Sequence, residues 1–302
     1  MHYLKYILIT ALLGFAPLAQ AMSPLLEADW VLENLNSKNV VFLDIQERAQ
    51  YQRYHIPGAV NAPYSGWRSG KKQAGLRGML LPTAVLEKKL GKLGIDASKK
   101  VVVVATGQGA GDMAAAARVF WNLRILGHEQ VAVLNGGLIS YAEAKGKLQS
   151  GNNTATAVKY KAKPNMQFLA EAKDVRQAIE AQTTLVDARS AAEFLGVYKA
   201  SKKERPGTIP GSKNIPHDWL TVNGSGRIHD KASLKKLFKL EDIQIDKPAE
   251  RIYFCHTGSR AALSWFVDYA IMGNKKARLY DGSMLEWAAR SDTPVEAKVE
   301  LW

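Results

Sequence analysis

Cysteine is almost missing from this chain: Cys255 is the only one in 302 residues. A lone thiol excludes a disulfide framework within the chain and any zinc-finger spacing of cysteines. Acidic residues are also scarce, with 28 Asp and Glu against 41 Lys and Arg and a formal net charge of +13. A basic balance suits nucleic acid, an anionic surface or small anionic substrates. No basic stripe interleaved with aromatics and no long basic run is present, which argues against nucleic acid. No metal or organic cofactor motif appears, so none is expected. Beyond the first residues, no apolar run approaches the ~20 residues that span a bilayer. The 47% hydrophobic fraction is ordinary for globular proteins, and the length allows about two domains.

The beginning of the chain reads as an export signal. Lys5 lies in a short polar start, Tyr6 to Ala16 are apolar, and Pro17 is followed by "LAQA". Ala19 and Ala21 fit the small-x-small cleavage pattern, so residues 1–21 are expected to be a cleaved signal peptide. The mature chain is then expected in the periplasm, with no membrane attachment. Exported proteins usually pair their cysteines. An unpaired one is a buried apolar residue, a link to another chain or a reactive thiol.

The sequence repeats itself. "VVFLDIQERAQYQRYHIPGAVNAP" from Val40 parallels "TTLVDARSAAEFLGVYKASKKERPGTIPGSKNIP" from Thr183. "VVVVATGQGAGDMAAAARVFWNLRILGHEQVAVLNGG" parallels "RIYFCHTGSRAALSWFVDYAIMGNKKARLYDG". An offset of about 145 to 150 residues is the size of a domain, not of a solenoid repeat. Val101 to Val104 and Ile252 to Phe254 read as buried parallel strands, followed by helices over 114–126 and 261–272 and by strands at Val131 to Leu134 and Ala277 to Tyr280. This alternation predicts an α/β protein of two tandem domains, each a mainly parallel sheet flanked by helices. The expected boundaries are 22–148 and 167–302, with the polar stretch 149–166 as linker.

Cys255 stands between a strand and a helix, where open α/β sheets bind ligands. Gly258 allows a left-handed turn whose successive N–H groups form an anion nest. The helix N-terminus and Arg260 add positive charge, and all of these favour thiolate over thiol. Thr257 and Ser259 supply hydroxyl donors, and His256 adjoins the thiol. The bland alternative is a buried, inert cysteine at a strand end. Strand alignment places Ala105 opposite Cys255, in a longer loop with neither Cys nor Arg. The first domain therefore keeps the scaffold without the nucleophile, which favours a site at the interface of the two domains.

On the motifs "DIQERAQYQRYHIPGAVNAP", "VLNGG", "LVDARSAAEFLG", "IPGSKNIP", "CHTGSR" and "LYDGSMLEWAARSDTPVE", the chain resembles the tandem-domain rhodaneses, the thiosulfate and 3-mercaptopyruvate sulfurtransferases. The resemblance covers nearly all of the mature chain. It implies two rhodanese folds and a small anionic donor that gives its outer sulfur to Cys255. The persulfide would then pass that sulfur to cyanide or a thiol. It also implies that Arg189 binds the donor anion, against the alternative of a surface salt bridge to Glu193. Asp44 and His55 match a first-domain pair near the cleft of the mercaptopyruvate enzymes; the alternative is a structural role for both. The thiosulfate enzymes commonly carry two basic residues after the cysteine and the mercaptopyruvate enzymes small neutral ones, whereas here His256 and Thr257 follow. Thiosulfate is the favoured donor because of the strongly positive field.

The insertion Lys199 to Arg205 has no counterpart in the first domain and is either an anion attractor near the cleft or a solvated loop. Lys235, Lys236 and Lys239 read as an exposed helix face, and Asp281 to Ser283 as a strand-end turn without a catalytic role. Two other functions compete. Cysteine phosphatases use a similar cradle with five residues between Cys and Arg, but this loop has four, His256 to Ser259. A persulfide carrier without turnover would need the same loop. Any protein acceptor is left unidentified by the sequence.

Overall fold

The computed structural model describes residues 22–70, 76–200 and 204–301. The expected signal peptide lies outside them. Two five-stranded sheets form, each entirely parallel in its pairings. The first contains β1 (Leu25–Leu26), β2 (Val40–Asp44), β3 (Val60–Asn61), β4 (Lys100–Val104) and β5 (Val131–Leu134), ordered β1-β5-β4-β2-β3. The second contains β6 (Leu169–Ala170), β7 (Thr184–Asp187), β8 (Lys213–Asn214), β9 (Arg251–Phe254) and β10 (Ala277–Tyr280), ordered β6-β10-β9-β7-β8. The repeat in the sequence is thus a repeat of topology. Val101 to Val104 are fully buried, as a central parallel strand covered on both faces requires.

The two halves meet through two helices. Ala110–Ile125 of the first packs against Arg260–Phe266 of the second. The first helix is buried nearly all round, so it has no polar stripe and belongs inside the molecule. Phe120 meets Phe266 edge to face at 4.9 Å between ring centroids, and Trp265 stacks on Tyr269 at 4.6 Å. A single apolar core runs through this junction.

Both helices depart from the sequence expectation. The first begins at Ala110, four residues earlier than expected, although Gly109 and Gly111 flank its start. The second is α-helical only to Phe266, then widens into a π turn over Val267–Ile271. There Asp268 is buried against Arg251, Tyr253 and Asn274, which anchors the wider turn to β9. The segment between the sheets follows the first domain. Val158 and Lys163 donate to the Gly91 and Leu126 carbonyls, and Gln149 exchanges backbone hydrogen bonds with His55.

Candidate active site

β9 ends at Phe254, and the chain turns through Cys255 to Ser259 before the helix begins at Arg260. Cys255 is 1% exposed. Its N–H donates to the Ser283 hydroxyl and its carbonyl accepts from Met284, so the strand-end turn after β10 fixes the nucleophile's backbone. Gly258 has φ +72°, and a Cβ there would lie 2.6 Å from Arg118 Nη1, so only glycine fits. Among the described residues, no acceptor takes the N–H groups of His256, Thr257, Gly258 or Ser259. Four successive free donors directly after the thiol, with a left-handed glycine among them, are the backbone pattern of an anion nest.

The equivalent loop of the first domain is filled from within. There the Gly107 and Gln108 N–H groups both donate to Asp112 Oδ2, at 3.1 and 3.0 Å. That loop borders a cavity of about 330 Å³ lined by Gln46, Tyr64, Ala105 and Asp112 among others. The cysteine-less copy therefore carries its own carboxylate as acceptor where the N–H groups of the other loop have none among the described residues.

Three consecutive residues of the open loop are held from the first domain. Arg68 Nη2 donates to the Thr257 carbonyl at 2.5 Å. Arg118 Nη1 donates to the Gly258 carbonyl at 3.1 Å. Tyr64 and Ser259 share a short hydroxyl–hydroxyl hydrogen bond. Arg118 is wholly buried, pairs with Asp281 at 2.5 Å and lies over the Trp121 ring. Asp281 also accepts from the Leu80 N–H, which ties it to the first domain again. None of Tyr64, Arg68 and Arg118 stood out in the sequence. Asp281, expected to be a simple turn residue, is the buried counterion of the clamp.

The two arginines expected to hold an anion are both engaged. Arg189 is 2% exposed, forms a two-pronged pair with Asp187 and donates to the Gly207 carbonyl. Nor does it pair with Glu193. The first domain explains why, because Gln46 holds the same position there and its backbone and side-chain N–H groups donate to Asp44. A position served by Gln in one copy and Arg in the other braces the carboxylate at the strand end. Arg260 instead takes Glu193, with Nη1 and Nη2 at 2.7 and 2.8 Å from its two oxygens. Ser190 caps the short helix that carries Glu193 and sets that carboxylate in place. Burial opposes ionisation of Glu193, but hydrogen bonds and charge from Arg260 hold its pKa down at about 2. Burial would weaken Arg260's hold on its proton, yet Glu193 and the neighbouring Cys255 raise its pKa.

Asp44 and His55 make their side-chain contacts with the first domain and the segment that follows it. Burial pushes Asp44 up to about 6, against the hydrogen bonds from Gln46. His55 is fully buried and stacked on Tyr51 at 4.0 Å. Its Nδ1 meets the Tyr51 carbonyl and its Nε2 meets the Asn153 side-chain amide, so both nitrogens are committed and the ring docks the inter-sheet segment. His256 is partly exposed, with Nδ1 3.5 Å from Glu204. Glu204 belongs to the insertion read as either an anion attractor near the cleft or a solvated loop; residues 201–203 of it lie outside the described ones. Arg205 turns away to donate to the carbonyls of Trp287, Ala288, Arg290 and Thr293. The insertion thus brings an acid to the loop and uses its last cation as a brace. Lys235, Lys236 and Lys239 are exposed, and Lys235 pairs with Asp246. His217, which follows Pro216 as Tyr64 follows Pro63, was also missed. Burial and the Arg260 charge lower its pKa, and its Nδ1 is buried without a partner among the described residues.

The rhodanese-like domain matches residues 27–144 and 171–290. The chain belongs to the tandem-domain rhodanese family. It is a two-domain sulfurtransferase with its one thiol in the second domain. A relative from Arabidopsis thaliana, thiosulfate/3-mercaptopyruvate sulfurtransferase 2, is 30% identical, the match covering 93% of this chain and 89% of that protein. The crystal structure of SseA from Escherichia coli, a 3-mercaptopyruvate sulfotransferase, has a TM-score of 0.75 at 25% identity, covering 87% of this chain and 99% of that one. The anaerobic ergothioneine biosynthesis enzyme from Chlorobium limicola shares the fold, with a TM-score of 0.75 at 21% identity over 92% of this chain and 71% of that one.

Proposed function

We propose that Cys255 takes sulfane sulfur from thiosulfate and delivers it to cyanide or a small thiol. The observation that carries this reading is the nest of four free N–H groups at residues 256–259 around the chain's single thiol. The Cys255 thiolate attacks the outer sulfur of thiosulfate. A new S–S bond forms, the old one breaks, and its electron pair leaves with sulfite. One thiolate and one dianion become one persulfide anion and one dianion, so three negative charges persist throughout. Fixed N–H donors stabilise such charge without reorganising during the step. Cyanide then attacks the outer sulfur of the persulfide, and thiocyanate leaves with the thiolate restored. Name similarity supports the donor class, since the Arabidopsis relative is named for both thiosulfate and 3-mercaptopyruvate.

Mercaptopyruvate is the second reading. Glu193 and Asp187 neutralise Arg260 and Arg189, which leaves hydrogen-bond donors rather than concentrated charge at the loop. Intact-mass measurement after exposure to each donor is the test. Thiosulfate should add about one sulfur mass to the wild-type protein, reversibly with cyanide, and none to Cys255→Ser. Transfer by Cys255→Ser would overturn the assignment of the nucleophile, and loading by mercaptopyruvate alone would reassign the donor.

The reading extends to location. The apolar run Tyr6 to Ala16 and the "AQA" site support export with cleavage after Ala21. N-terminal sequencing of protein recovered from a periplasmic fraction should begin at Met22. Recovery of Met1 protein in the cytosol would reject this.

A further inference from the structure

The peptide planes of the loop are not free to turn. A trans peptide points its C=O and the following N–H in opposite directions. Arg68 draws the Thr257 carbonyl toward the first domain, and Arg118 does the same to the Gly258 carbonyl. The N–H groups of Gly258 and Ser259 must then point away from that domain, and these are two of the four free donors. Turning either peptide over would break a charge-assisted hydrogen bond, leave a guanidinium donor without its acceptor and aim a carbonyl oxygen at the anion. The two arginines also differ in charge balance. Arg118 is neutralised by Asp281, whereas Arg68 has no carboxylate partner among the described residues. Arg68 is seated by a carbonyl, that of Gly78, whose φ is +78° and whose missing Cβ would lie 2.2 Å from Arg68 Nη2.

We propose that Arg68 and Arg118 are positioning residues for sulfur transfer: the cysteine-less domain sets the orientation of the Gly258 and Ser259 amides, and Arg68 adds a positive charge with no carboxylate partner among the described residues. This deepens the role of Cys255 and rests on that reading. The experiment compares wild type, Arg68→Ala and Arg118→Lys in single-turnover persulfide formation with thiosulfate, followed by intact mass. Arg68 is partly exposed, so its removal spares the core. Arg118→Lys keeps a charge for Asp281 but loses the forked donor. In each variant the loading rate should fall roughly tenfold or more, with the half-saturating thiosulfate concentration moving much less, because amides aimed at developing charge act on the transition state. Free guanidinium ion should restore part of the Arg68→Ala rate, which a general loss of structure would not allow. Wild-type loading with Arg68→Ala within about twofold of it would overturn the positioning role while leaving Cys255 as acceptor. No loading of wild type would overturn the reading itself and this inference with it. Should Arg118→Lys fail to fold, the Arg68→Ala comparison decides.

Discussion

Replacing Glu193 by glutamine would remove the carboxylate that neutralises Arg260 while keeping the side chain's shape. Glu193 is held at about 2 in the folded protein against an ordinary 4.5. At about 1.4 kcal/mol per pH unit, that difference corresponds to roughly 3 kcal/mol. Arg260 is 27% exposed, so water screens the pair, and about 2 kcal/mol is the expected loss at neutral pH. The sign follows from the depressed value. The contribution is fully present above pH 4.5, where the unfolded chain is also ionised, and disappears as pH falls toward 2. Urea unfolding of wild type and Glu193→Gln at pH 7, 5 and 3.5 is the assay. The gap should be widest at pH 7 and narrower at 3.5. The same substitution unmasks Arg260, so the thiosulfate kcat/KM of the folded variant should rise and should fall more steeply with added salt. A stability gap equal at pH 7 and 3.5 would refute the ion-pair account.

Gly258→Ala should fold but lose at least about tenfold in kcat/KM, because alanine at φ +72° is strained and its Cβ would displace Arg118 from the loop; steady-state kinetics beside a melting curve would show it. An Ala105→Cys thiol should react with iodoacetate more slowly than Cys255, since Asp112 occupies the amides of its loop, and adding Asp112→Asn should narrow the difference. The Asp44 carboxyl should titrate near pH 6 by carboxyl-carbon NMR. Because its folded value is raised, stability should decline as pH rises from about 4 to 6, where the unfolded chain has ionised and the folded one has not.

The sequence carried the architecture well because strands buried on both faces leave uninterrupted apolar runs. Val131–Leu134 and Ala277–Tyr280 occupy the residues expected of them, and Val101 to Val104 extends by only Lys100. Helix limits were less legible. The glycines around Ala110 resemble a loop, and the turn at Asp268 depends on Arg251, which is close in space but not in sequence. The thiol loop was visible from composition, but the pairing of its charges was not. Arg189, Arg260 and Arg118 each settle on one of several nearby carboxylates, and only the fold decides between Asp187, Glu193 and Asp281. Arg118 sits in a helical run that gives no sign of its contact with Gly258, 140 residues away. His55 was similarly opaque, since its partners Gln149 and Asn153 come from the segment between the sheets.

The clamp on Thr257, Gly258 and Ser259 also bears on biosynthesis. A ribosome completes Tyr64, Arg68 and Arg118 long before it reaches Cys255. The later half therefore emerges beside a ready template for its most demanding loop. A nascent or nicked chain would carry a bare thiol without the grip that orients the amides around it, and would be a poor sulfur acceptor. Competence would then arrive as the last event of assembly.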